Sequence, residues 1–96
     1  MSTILLTTAT DPEILQELGR RLAALRQARR MSQTEAAERS GLSRKTVYSA
    51  EQGENPRLLT LVRLLRTYGT LDSLSAFIPE TEISPIEILE RTRGEG

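Results

Sequence analysis

Ninety-six residues suffice for one domain with a single core, and with only Tyr48, Tyr68 and Phe77 as aromatics that core falls to Leu, Ile, Val and Ala. The chain has no cysteine, which excludes disulfides and thiolate metal sites, and no histidine, which removes the commonest general base and metal ligand. The net charge of zero is unevenly spread: residues 20–57 hold nine basic and four acidic side chains, whereas 1–19 carry −3, 58–71 carry +2 and 72–96 carry −4. A basic centre between acidic ends suits a reader of nucleic acid, although a solvated surface of mixed charge gives the same totals. No apolar run approaches membrane-spanning length and the start lacks a basic signal-peptide region, so a cytoplasmic, reducing location is expected.

Thr3 to Thr8 is β-branched and apolar, a short strand or an unfolded arm, within an N-terminal segment of residues 1–10. Asp11 is expected to cap a first helix with Pro12 at its first position, and Ile14, Leu15, Leu18, Leu22 and Leu25 supply one buried face. That helix should end near Arg29 or Arg30, whose charges suit a helix C-terminus. Ser32, with Glu35 three residues on, forms a capping box for a second helix over Gln33 to Arg39, which stops at Ser40-Gly41. Ser43 caps a third helix from Arg44 to about Gln52, closed by Gly53 and followed by the Glu54-Asn55-Pro56 loop. Leu58, Leu61, Val62, Leu64, Leu65 and Tyr68 mark a fourth helix, with Leu64, Leu65 and Tyr68 as core. Leu71, Leu74 and Phe77 mark a short fifth helix that ends before Pro79. The helical domain thus covers 11–78, and the tail, 79–96, holds a candidate short helix opened by Ser84 and Pro85.

Two short helices joined by Ser40-Gly41-Leu42-Ser43 cannot bury their own apolar faces, and glycine at the turn lets them meet steeply, as in a helix-turn-helix over about 33–53. Val47 should pack inward with Ala37 and Leu42. Outward, the second of the pair presents Ser43, Arg44, Lys45 and Thr46, then Tyr48, Ser49 and Gln52. Cationic and hydrogen-bonding groups at the N-terminal end of an exposed helix are what the reading of base edges in a major groove requires. No His, Cys or glycine-rich phosphate loop is available to assemble a catalytic centre, so an enzyme is not expected, and neither is a metal or cofactor.

The run from Ser32 to Gly53 resembles the Xre-type, phage-repressor and Cro-like helix-turn-helix family. The likeness extends from about Leu22 to Phe77, through Ser32-Gln33, Ala37, Gly41, Val47, Glu51-x-Gly53, Pro56 and the leucines that follow. It implies an all-α, five-helix, lambda-repressor-like domain. It also implies base contacts from Arg44, Lys45 and Ser49 with Tyr48 beside them, and backbone contacts from Ser43, Thr46, Gln52 and Arg57. Tyr48 either meets thymine methyls or backbone, or covers the helix surface. Gln33 is implied to grip a phosphate and to brace the start of the recognition helix, and Arg26 and Glu51 to form a buried salt bridge. Arg20 and Arg21 read as solvated surface. Ala36 and Ala50 depart from the family's Leu or Ile, so either the second and third helices approach more closely or aliphatics of the first and fourth fill the space.

One such domain reads a half-site, so a homodimer on palindromic double-stranded operator DNA is expected, with Leu74, Phe77, Ile78, Ile83, Ile86 and Leu89 as its interface. The N-terminal arm is the other candidate interface, and the apolar face can also fold back on its own domain. The 96 residues leave no room for an effector domain, so no small-molecule ligand is expected. Size and the acidic Ile-Ser-Pro-Ile-Glu segment are similar to antitoxins encoded with HipA-type kinase toxins, which implies an autoregulating repressor that also holds a toxin. A phage or plasmid repressor without a toxin, and an adaptor that keeps the fold without DNA, are the competing readings.

Overall fold

The structure, a computed structural model, describes residues 6–81. Its elements in order are α1 (Asp11–Ala28), α2 (Gln33–Ser40), α3 (Arg44–Glu51), α4 (Leu58–Thr67), a 3-10 turn (Leu71–Ser73) and α5 (Leu74–Phe77). They form an all-α, lambda-repressor-like domain with no strand among the described residues. Residues 6–9 are turn and bend, so of the two expectations for the N-terminal segment, strand or arm, the described part is not a strand.

Each helix starts where a side chain satisfies its free amides. Thr10, not Asp11, is the cap of α1: its hydroxyl accepts from the Glu13 amide at 3.3 Å while Glu13 Oε1 accepts from the Thr10 amide at 3.0 Å. The Thr10 amide and, at 2.8 Å, its hydroxyl both donate to the Glu13 carboxylate and hold it below its ordinary range. Ser32 and Glu35 form the expected box on α2, and Ser43 caps α3. The turn between α2 and α3 closes at Gly41, whose φ of +73° is a left-handed conformation that a side chain would strain.

The core is small. Leu22, Ala36, Ala37, Val47, Ala50, Leu64 and Tyr68 are buried, with Leu25, Met31, Leu42, Leu61 and Leu65 packed around them. Ala36 and Ala50 are 0% and 1% exposed, and Leu22, Leu64 and Tyr68 of the first and fourth helices supply the bulk beside them.

The apolar stripe expected on α1 faces inward but is not all that α1 buries. Leu22 is buried, Ile14, Leu15, Leu18 and Leu25 are half-buried, and Glu17 and Gly19 are buried as well. The reason lies in how α1 meets α3: a Cβ added to Gly19 would lie 2.4 Å from the Glu51 carbonyl oxygen and 2.9 Å from that of Ala50. The two backbones touch there, and only glycine fits between them. In the first turn of α4, Leu58 is 56% and Leu59 58% exposed, while Thr60 beside them is buried. Among the described residues no helix is long and apolar enough to cross a membrane.

Candidate nucleic-acid interface

Helix α3 has two unlike faces. Val47, Ala50 and Glu51 are buried, whereas Arg44, Lys45, Tyr48 and Gln52 are exposed, with Ser49 and Thr46 half-buried between the two sets. Its first turn is held by Ser43, whose hydroxyl accepts from the Thr46 amide at 3.0 Å and shares a 2.8 Å hydrogen bond with the Thr46 hydroxyl. Both hydroxyls therefore already serve the helix. Arg44 and Lys45 follow at its start, outside every ion pair formed among the described residues. Unpaired cations at an exposed helix start carry their full charge toward solvent, the condition for meeting an anionic or hydrogen-bonding surface.

The other end of α3 is fastened to the rest of the domain. Arg26 grips Glu51 with two parallel hydrogen bonds, Nε to Oε2 at 2.7 Å and an amino nitrogen to Oε1 at 3.1 Å. Its remaining amino group donates to the Met31 carbonyl at 2.8 Å, so the guanidinium also ties down the α1–α2 connection. The pair is mostly out of water, with side chains 13% and 5% exposed, and the hydrogen bond to Glu51 holds the Arg26 guanidinium above its ordinary value. The salt bridge implied by family resemblance is thus present.

Gln33 joins the same cluster and corrects an expectation. Its amide donates to Glu51 Oε1 at 3.1 Å, so it braces the last residue of α3 rather than the start of that helix. With Nε2 committed to a carboxylate, Gln33 stands half-buried at the N-terminal end of α2, beside the free amides of that first turn.

Lys45, Thr46 and Ser49 of α3 and Arg57, which caps α4 without a side-chain hydrogen bond, line one groove of about 540 Å³ between the two helices. The structure therefore gathers Arg44, Lys45, Thr46, Tyr48 and Ser49 on one helix with Gln52 at its C-terminal cap, and Arg57 across the groove. Of the expected dimer residues, Leu74 is half-buried on α5, while Phe77 and Ile78 are 51% and 68% exposed; Ile83, Ile86 and Leu89 lie outside the described residues.

Arg20 and Arg21 are exposed as expected but not idle, since both pair with the buried carboxylate of Glu17, Arg21 Nε at 2.8 Å. Sequence reasoning missed Glu17, Gly19 and the Met31 carbonyl. Only Gly19 left a signal, as an isolated glycine inside a strong helical pattern.

The family model of the helix-turn-helix domain matches residues 17–77, from the buried Glu17 to the end of α5. The HTH-type transcriptional regulators PuuR of Escherichia coli (strain K12) and of Shigella flexneri are each 43% identical to the chain over 65 residues, 67% of this chain. That match is 34% of each relative, so the chain spans about a third of their length. Helix pair, turn glycine, fastened α3 and matched span agree, and the chain belongs to the helix-turn-helix domain family.

Proposed function

We propose that this chain is the DNA-reading unit of a sequence-specific transcriptional repressor, with α3 inserted in the major groove of its operator. The observation that carries the reading is the division of α3, anchored through Glu51 at one end and presenting at the other Arg44 and Lys45, which have no ion-pair partner among the described residues. Arg44, Lys45, Tyr48 and Ser49 meet base edges; Gln33, Ser43, Thr46, Gln52 and Arg57 meet the backbone. Relatives described as transcriptional regulators support this reading. The protein acts as a dimer on a palindrome, for which exposed Phe77 and Ile78 offer an apolar contact.

The test is a mobility shift on the DNA upstream of its own gene against a random duplex, at physiological salt. Binding to the upstream site should exceed the random control by about 10³-fold or more. Arg44→Ala should lose about 1–3 kcal/mol of that discrimination while leaving non-specific binding largely intact. Equal, weak binding to both duplexes would overturn the reading in favour of an adaptor. Within the repressor reading, an antitoxin role predicts that co-expression neutralises a HipA-type kinase encoded beside it, and a neighbourhood with no such gene refutes that role.

A further inference from the structure

The groove between α3 and α4 has a character that duplex DNA does not explain. Its rim carries three cations, Lys45, Arg57 and Arg63, none of which has a carboxylate within ion-pair distance among the described residues. Its walls are apolar, from Leu42, Pro56 and Leu59, the last 58% exposed to solvent. A phosphate backbone satisfies the cations and leaves those walls wet. The occupant that satisfies both is a peptide that interleaves carboxylates with aliphatic side chains.

The chain contains such a segment. Residues 80–90 read Glu-Thr-Glu-Ile-Ser-Pro-Ile-Glu-Ile-Leu-Glu, four carboxylates and four Ile or Leu with no basic residue. The segment begins just after α5, which the 3-10 turn joins to the C-terminal end of α4, one wall of the groove. Residues 82–90 can span about 30 Å when extended. We infer that the acidic segment 80–90 docks in the α3–α4 groove of its own chain, placing carboxylates on Lys45, Arg57 and Arg63 and aliphatic side chains against Leu42, Pro56 and Leu59. Residues 82–90 lie outside the described residues.

Docking there covers Lys45 and Arg57, two groups assigned above to DNA, so the segment competes with the operator. This consequence rests on the proposed function; occupancy of the groove does not. The chain has no cysteine, so a single spin label at Glu87→Cys reports without background. In the full-length, DNA-free protein it should broaden the amide signals of Ser49, Leu59 and Arg63, and Arg63→Glu or high salt should restore them. Unbroadened groove amides overturn the inference. Broadening seen only when label and isotope sit on different chains overturns it as well, and assigns the groove to a second copy. On a random-sequence duplex, the Glu82→Gln, Glu87→Gln, Glu90→Gln variant should bind about 3–10-fold more tightly than the parent if the groove is mostly occupied in the free protein. An unchanged affinity alongside groove broadening removes the competition and leaves the docking.

Discussion

Replacing Gly19 with alanine tests whether α1 and α3 are in backbone contact, because helix propensity and packing predict opposite signs. Alanine in the middle of α1 should stabilise the helix by about 1 kcal/mol over glycine. Against this, the new methyl would lie 2.4 Å from the Glu51 carbonyl oxygen and 2.9 Å from both the Ala50 oxygen and the Glu51 carbonyl carbon, all backbone atoms. Ordinary contact begins at 3.4 Å, so the helices must part by about 1 Å where no flexible side chain can yield. Overpacking of this kind costs about 1–3 kcal/mol and more when backbone must move. The same parting stretches the grip of Arg26 on Glu51, whose bonds are 2.7 and 3.1 Å long. The expected net loss is about 2 kcal/mol, or about 8–16 °C in Tm for a domain of this size. Thermal unfolding followed by circular dichroism measures it. A Tm equal to or above that of the parent would mean that α1 and α3 stand apart, and the account of how α3 is anchored would fail with it.

Other outcomes follow from the same interior. Glu51→Ala should cost about 3–5 kcal/mol, since it strands the buried Arg26 guanidinium, whereas Arg26→Met with Glu51→Leu should cost far less than the two single changes together; chemical denaturation of the four proteins gives the coupling. Tyr68 is 1% exposed and its hydroxyl has no hydrogen-bond partner among the described residues, so Tyr68→Phe should leave stability unchanged or raise it at neutral pH. Burial pushes the Tyr68 phenol up to about 12 from an ordinary 10, so the folded state keeps a proton that the unfolded chain releases. Its contribution is complete below pH 10 and is lost as pH rises through 12, about 2–3 kcal/mol in all, and the Phe variant should lack that part of the alkaline slope. Ser32→Ala removes the hydroxyl that accepts from the Glu35 amide at 3.0 Å and should lower stability by about 1 kcal/mol, read as a Tm shift.

The helix boundaries were legible because their causes are local. Ser32, Gly41, Ser43 and Gly53 each act on backbone groups within a turn of themselves, and a capping side chain announces itself by type and spacing. Thr10 escaped because Asp11-Pro12 offers an equally good cap one residue later; what decides is that Glu13 reciprocates with Thr10 and completes a box. The α3 surface was legible for a related reason, since helical period puts Arg44, Tyr48 and Gln52, four residues apart, along one side, with Val47 and Ala50, three apart, turned away from it. The interior of α1 was not, because burial there is set by where α3 crosses. Helical period favours leucines at contact positions, yet a crossing close enough to exclude a Cβ demands glycine, and the neighbouring carboxylate of Glu17 is buried with Arg20 and Arg21 as its counter-charges. The first turn of α4 was equally hard to read: spacing alone does not say which of its sides meets the other helices, and there Thr60 is buried while Leu58 is exposed.

Glu51 explains why the small core of this domain can still aim a helix. Alanines at 36 and 50 leave little side-chain bulk between α2 and α3, and such an interface resists rotation poorly by packing alone. Directional bonds supply what volume does not. Arg26 reaches Glu51 from α1, Gln33 reaches it from α2, and Gly19 brings the α1 backbone against its carbonyl. All three constraints act on the last residue of α3, so that end of the helix is fixed in position, while among the described residues the side chains of its first turn bond only to its own cap. Substitutions at Arg44, Lys45, Tyr48 or Ser49 should therefore change what the helix recognises at little cost to stability. Substitutions at Glu51, Arg26 or Gly19 should impair recognition of every sequence alike, because they move the helix without altering the groups it presents.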